Sequence, residues 1–341
     1  TVSGTTVISG TLLNSGGNNT TSGSNINALG DLVINTGGSV IGAAGGDGST
    51  NTGVRGYNLN ARSLSGGGTV SASSMTQIGT RDVNLNLETE ANVSTGFSGI
   101  LQNSSVASSG TNRLHVTVSG SGTQTLSGAN TYTGQTRVKS GGTLLVDGTH
   151  IQAANGVGGG SATDGLYHVE ATATLGGSGG RIAGQSASNN TNLVYVAGGG
   201  TLAPGDQGLV LDGGNLTGSG ARHLRLEVGA ELAFTLAGDG SGASNLVFWN
   251  YAGAADVLFN NNTTSLSLEG PLVEGTYTVA LMTFFSDGGT TATLSGLTDG
   301  LTLSGVLDPN ISDAQLLFND TNISLQYTVV PEPAAGGFGL F

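Results

Sequence analysis

Side chains able to do acid–base or metal chemistry are few in this sequence and lie far apart. The 341 residues include 22 Asp and Glu, 9 Lys and Arg, four His and no Cys. The densest acidic group is Asp82, Glu88 and Glu90. It flanks the alternating run Val83, Leu85, Leu87, so the spacing predicts acids pointing outward, a solvated face that discourages edge pairing. Glycan cleavage would need several acids converging on one face, with Lys, Arg or Ca²⁺ beside them. No Asn-Thr-Asp, Gly-Asp-Asp or Gly-His-Gly pattern supplies that. His115, His150, His168 and His223 have no histidine partner at i+2 or i+4, and His115 alternates outward with Thr117, which reads as a surface imidazole rather than a metal ligand. The string AAGGDGSTN at 43–51 holds one imperfect Gly-Asp turn, whereas calcium β-rolls need tandem copies. Gly-rich strings such as GGNLTGSG do not open helices and so are not phosphate loops, and no Ser sits in a strand–turn–helix elbow. The sequence therefore predicts no catalytic residue, no metal and no cofactor. One aromatic group stands out. Trp249, the sole tryptophan, lies in LVFWNY with Tyr251, a pair able to stack on a sugar ring, although sealing the core is the favoured expectation in a chain this poor in aromatics. Asn-x-Ser/Thr sequons at Asn19, Asn103, Asn215 and Asn322 follow from composition.

The elements that must carry these residues are strands. Gly contributes 62 residues and charged residues only 9%, against about 7% Gly and about 25% charged in ordinary domains. Hydrophobic residues make up 36%, too many for a disordered chain. Gly recurs too often for three uninterrupted helical turns. Period-two alternation runs throughout: Val83, Leu85, Leu87; Leu114, Val116, Val118; Leu224, Leu226, Val228, then Leu232, Phe234, Leu236. Gly pairs recur between apolar runs, as in INTGGSVIG at 34–42 and VKSGGTLLVDG at 138–148, where turns requiring positive φ explain them. This pattern predicts an all-β chain, a β-solenoid of stacked coils, over residues 1–265. With coils of ~20 to 25 residues that span would make on the order of eleven to thirteen coils. Longer, more apolar strands between 266 and 330 predict a β-rich C-terminal cap, which such a fold needs to hide its end.

Residues 122–149, GTQTLSGANTYTGQTRVKSGGTLLVDGT, closely resemble the autotransporter-associated β-strand repeat, a passenger-type unit. The likeness is clear over about 98–236 and weaker over the N-terminal third. It implies a right-handed parallel β-helix exported to the cell surface. At the other end Val330, Pro331, Glu332 and Pro333, followed by AAGGFGLF, are similar to the start of a PEP-CTERM sorting signal, which implies Gram-negative export with exosortase processing. That tail, at 331–341, is expected to touch a membrane only transiently. No barrel of ten-residue alternating strands follows it, unlike a conventional autotransporter, and Thr1 in place of Met reads as a processed start.

The functional expectation is a non-enzymatic structural protein of the bacterial cell surface or extracellular matrix, with copies of itself as partners, joined end to end into filaments by strand addition. An adhesin or carbohydrate-binding module, with extracellular polysaccharide as partner, is the alternative. A polysaccharide lyase or hydrolase comes third. Nucleic acid is excluded as a partner by the net charge of −13 and by a single lysine, Lys139.

Overall fold

In the computed structural model the described residues are 5–15, 25–44, 57–74, 81–103, 112–152, 165–184, 192–214, 222–250, 257–260, 262–286, 301–303, 307–319 and 321–330. Every regular element among them is a β-strand, and no helix is long and apolar enough to cross a membrane.

The alternation reading holds, and it builds a parallel β-solenoid with three walls. Each coil runs up the first wall, turns into the second, passes a Gly corner and enters the third. The first wall stacks the first halves of Asn25–Ile34 and Tyr57–Gly66, then Arg81–Thr89, Asn112–Gly120, Thr136–Val138, Gly165–Val169, Asn192–Val196, Arg222–Leu226 and Val257–Leu258, all in parallel. The second runs from Thr5–Ile8 through the second halves of Asn25–Ile34 and Tyr57–Gly66, Ser94–Phe97, Thr123–Leu126, Thr143–Val146, Thr174–Gly177, Thr201–Pro204, Glu231–Ala237 and Asn262–Glu269 to Leu301–Thr302. The third begins as Thr11–Ser15, Ser39–Ala44, Thr69–Ser74 and Ile100–Asn103. It continues through Ala129–Asn130, Thr149–Gln152, Gly180–Gly184, Leu209–Asp212, Leu246–Trp249 and Gly275–Phe284.

Register puts like on like. Val83, Leu85 and Leu87 stand under Leu114, Val116 and Val118, and all six are at most 2% exposed. Fully burying such a side chain stabilises by about 1.5–3 kcal/mol, and the repetition of this pairing from coil to coil makes one continuous core. Val228 departs from the alternation. It is 68% exposed because it occupies the second position of the turn Glu227–Ala230, where the chain has already left the strand.

That turn recurs at the corner between the first two walls. In Glu90–Val93, Lys139–Gly142, Glu170–Ala173, Ala197–Gly200 and Glu227–Ala230, and also in Asn35–Gly38 at the corner into the third wall, the fourth N–H donates to the first carbonyl. The third residue takes positive φ: Gly37 (85°), Asn92 (63°), Gly141 (84°), Thr172 (62°), Gly199 (82°) and Gly229 (82°). Positive φ accounts for the first Gly of the Gly37–Gly38 pair; the second answers a different demand. A Cβ on Gly38 would run into the carbonyl oxygen of Ile8 in the coil beneath.

Coil length departs from expectation. Register offsets along the first wall range from 20 residues, Val116 to Thr136, to 33, Leu224 to Val257, so a 20–25-residue period overstates the number of coils. The variation sits mainly in the connections from third wall to first. The shortest coil makes that connection with Thr131–Gln135. After Asn262–Glu269, which still pairs in parallel, the pattern changes: Gly275–Phe284 pairs antiparallel with Asn322–Val329, which pairs antiparallel with Ile311–Phe318.

Where strands of successive coils part company, side chains replace the missing ladder bonds. The strand Tyr57–Gly66 pairs with its upper neighbour as far as Ala61 and again only at Gly66, leaving Leu64 between. Gln124, fully buried, accepts from the Leu64 N–H at 3.0 Å and donates to its carbonyl at 2.9 Å from 60 residues away, and also accepts from the Thr95 hydroxyl at 3.0 Å. Replacing Gln124 by Leu leaves two buried backbone groups unpaired. Chemical denaturation of Gln124→Leu is expected to show a loss of about 2–4 kcal/mol, whereas a surface substitution such as Ser121→Ala on the same coil, at an exposed position, should be tolerated.

Candidate functional surfaces

The polar residues of the repeat-like segment turn inward and hold the coils together. Asn103 ends one coil and starts the next, its Oδ1 accepting from the Leu114 N–H at 3.0 Å and its Nδ2 donating to the Thr133 hydroxyl at 2.5 Å. Asn130, 2% exposed, accepts from the Leu101 N–H at 3.0 Å. Tyr132 is fully buried, with its hydroxyl 2.5 Å from that of Thr136. Above it His150, also buried, stacks at 3.9 Å on the Tyr132 ring. The His150 Nε2 lies 2.9 Å from the Tyr132 carbonyl. A carbonyl only accepts, so Nε2 carries the proton, and Nδ1 accepts from the Tyr167 hydroxyl at 2.7 Å.

Burial drives the protonation states of this cluster. It pushes His150 down to about 4 and the Tyr132 phenol up to about 12, and it raises Tyr167 well above its ordinary value. All three groups are therefore neutral at physiological pH. The four histidines of the sequence diverge: His150 and His223 are buried, and His223 Nε2 meets the Trp249 carbonyl at 2.8 Å. His168 lies 3.3 Å from Arg137. His115 does face outward, but it is braced, accepting from the Gln135 N–H at 3.0 Å and standing 3.4 Å from Asp82.

Several acids outside the core are engaged too. Asp82 is not a freely solvated carboxylate, since Arg113 donates to it at 3.1 Å. Burial alone would raise its pKa, yet the hydrogen bonds and charges of His115 and Arg113 outweigh burial and hold it below the usual range. Glu90 meets Arg62 at 3.3 Å, and Arg62 also binds Asp31 at 2.8 Å, tying three coils together. Glu88 is exposed. Asn84 donates to Asn58 at 3.0 Å and Asn86 to Asn60 at 2.7 Å, a stacked amide ladder on the outer face.

The third wall carries the most distinctive surface group. Phe248 points inward and stacks on Phe284 with ring centroids 4.7 Å apart. Trp249, next along the strand, therefore points out, and it is 42% exposed. The expectation that Trp249 seals the core is corrected on this point: the alternation assigns the core to Phe248. The Arg181 guanidinium lies over the Trp249 ring at 5.9 Å and Phe285 meets its edge at 6.2 Å. Arg181 is held there by Asp212, which also accepts from Asn250 at 2.6 Å and from the Gly214 N–H at 2.9 Å. Burial would raise the Asp212 pKa, but these three donors keep it depressed and charged. Asp212 and Trp249 are register partners, one coil apart. The signal that could have assigned Trp249 to the surface was period-two alternation from Leu246.

Tyr251, Pro331, Glu332 and Pro333 lie outside the described residues, as do Asn19 and Asn215. Val330 is half exposed at the end of the last strand, its N–H donating to Asn310 at 2.9 Å. Among the described residues no three His, Asp or Glu side chains group to hold a metal ion.

Since His150 is neutral when folded and titrates near 6.5 when unfolded, the unfolded chain binds more protons between those values, and stability contributed at neutral pH is lost as pH falls from about 6.5 toward 4. The stability difference between the native chain and His150→Gln is expected to shrink by about 2–3 kcal/mol between pH 7.5 and 4.5, measured by denaturant titration at each pH. A difference independent of pH would refute this role.

No curated protein is detectably similar to the chain. The passenger-associated-transport-repeat family matches residues 116–146, the segment that contains Gln124, Asn130, Tyr132 and Thr136. That match and the solenoid together fit autotransporter passenger-type repeats, a family that suggests a secreted or surface-exposed protein of Gram-negative bacteria.

Proposed function

We propose that the protein is a non-enzymatic structural component of the Gram-negative cell surface or extracellular matrix, exported through the sorting motif Val330-Pro331-Glu332-Pro333 and assembled from copies of itself. The carrying observation is the way its polar groups are used. Asp31, Asp82, Asp212 and Glu227 are each set against an arginine, and the Asn and Gln residues of the repeat bond the coils to one another. Such groups stiffen a rod. Immunogold labelling of intact producing cells is expected to decorate the surface and the surrounding matrix, and alanine replacement of Pro331, Glu332 and Pro333 to reduce that label several-fold. Label confined to the cytoplasm would overturn the proposal.

A second reading is carbohydrate binding, favoured by the outward Trp249 with Arg181 across its ring. An exposed indole beside a positioned guanidinium suits a sugar ring bearing an acidic group. Trp249→Ala is expected to lose retention on an affinity gel of matrix polysaccharide at least about tenfold, the cost of roughly 1.4 kcal/mol, with an unchanged melting temperature. Equal retention by variant and native chain would dismiss this reading.

A further inference from the structure

We infer that successive copies join by parallel strand addition between the outer edge of Ile311–Phe318 in one copy and the outer edge of Thr11–Ser15 in the next. This rests on the self-assembly reading above and assigns its interface.

The third wall runs the whole length of the solenoid. Its halves meet where Ile100–Asn103 lies against Ala129–Asn130, with the Thr131 N–H donating to Leu101 at 2.9 Å. At one end Thr11–Ser15 pairs only with Ser39–Ala44, and at the other Ile311–Phe318 pairs only with Asn322–Val329, among the described residues. Each end strand thus has a row of backbone donors and acceptors without a ladder partner there.

Strand polarity makes these two edges complementary. Gly275–Phe284 runs with the parallel stack, Asn322–Val329 runs against it, and Ile311–Phe318 reverses again. Two antiparallel steps restore the original direction. The last strand therefore points the same way as Thr11–Ser15, and a second copy placed on it continues the wall in parallel with its axis in line. The contact is heterologous, joining different patches, so it does not close and propagates as a filament.

Packing points the same way. In the middle of the solenoid the inward residues of the third wall, such as Leu101, Leu211 and Phe248, are fully buried. At the ends the inward apolar residues of this wall are only partly covered: Leu12 at one, Ile311, Ala314 and Leu316 at the other, with Phe318 36% exposed. One more rung would cover each row. Thr11–Ser15 carries neither charge nor proline, the usual guards of a free edge. The Ile311–Phe318 edge has one guard, Asp313 at positive φ beside a register shift, which confines regular pairing to Gln315–Phe318. That segment has the four-residue length common in the third wall.

The test uses the 341-residue chain and two variants, Leu12→Lys and Phe318→Lys, each placing a charge in one edge's inward row. Negative-stain microscopy and sedimentation velocity at rising concentration should show filaments for the native chain and monomers for each variant alone. An equimolar mixture of the variants retains one good edge of each kind and should stop at dimers. Folding is checked by the melting temperature of each variant. Because the chain lacks cysteine, a Thr11→Cys, Leu317→Cys double variant gives an independent readout, an oxidation-dependent ladder of disulfide-linked multimers. A native chain that stays monomeric at high concentration overturns the self-assembly reading itself. Filaments that persist in both lysine variants, or a cysteine variant that forms no ladder while filaments form, overturn this interface and leave assembly standing.

Discussion

Parallel hydrogen bonding between coils sets a spacing of ~4.8 Å, and the other features of the molecule are accommodations to it. Every residue in a wall stands directly on its register partner, so a side chain is judged by what lies above and below it. Val116 on Leu85 is acceptable because both are apolar and inward. Asn84 on Asn58 is acceptable because an amide both donates and accepts along the stack. Trp249 above Asp212 is acceptable because Arg181 takes the carboxylate and lays its guanidinium on the ring. At the Gly corners the same spacing leaves no room for a Cβ, as at Gly128 against the Gly99 carbonyl.

The ladder is interrupted wherever a strand ends before its neighbour, and buried backbone groups exposed by such gaps cost about 1–3 kcal/mol each if left unpaired. Gln124, Asn103 and Asn130 fill them with side-chain amides. This gives a physical meaning to the residues that define the matched repeat. They sit in the coil with the tightest connection, where Thr131–Gln135 must turn from the third wall to the first within five residues and Tyr132 and Thr136 meet inside. In this chain the matched segment builds the shortest coil, and longer coils achieve the same return by other means.

The few charges follow the same logic. Paired across adjacent coils, as Asp31, Arg62 and Glu90 are, they link rungs at the surface, where each pair contributes about 0–1 kcal/mol. Their larger effect is on chemistry, since a carboxylate clasped by arginine stays ionised and is a poor proton donor. The ends of the rod are where the accommodation is incomplete. There Leu12 and Leu316 lack the next rung that buries their counterparts in the middle.

Alternation is a local property of the chain, and it was enough to determine the all-β class and the inward identity of Leu85, Val116 and Leu226, while the parallel stack was implied by the resemblance of residues 122–149 to a passenger-type repeat. Composition likewise determined that charge would be sparse and helices absent from the regular elements. Coil length was not legible because the third-to-first connections absorb insertions without disturbing register. The environments of Asp82, His115 and His150 were not legible either, since their partners Arg113, Gln135, Tyr132 and Tyr167 lie 17 to 31 residues away along the chain and come together only once register is set. Trp249 shows the boundary between the two most directly. Its outward direction was written in the alternation from Leu246, but its guanidinium neighbour, its buried carboxylate and its exposure were decided by which strands the tertiary structure stacked beneath it.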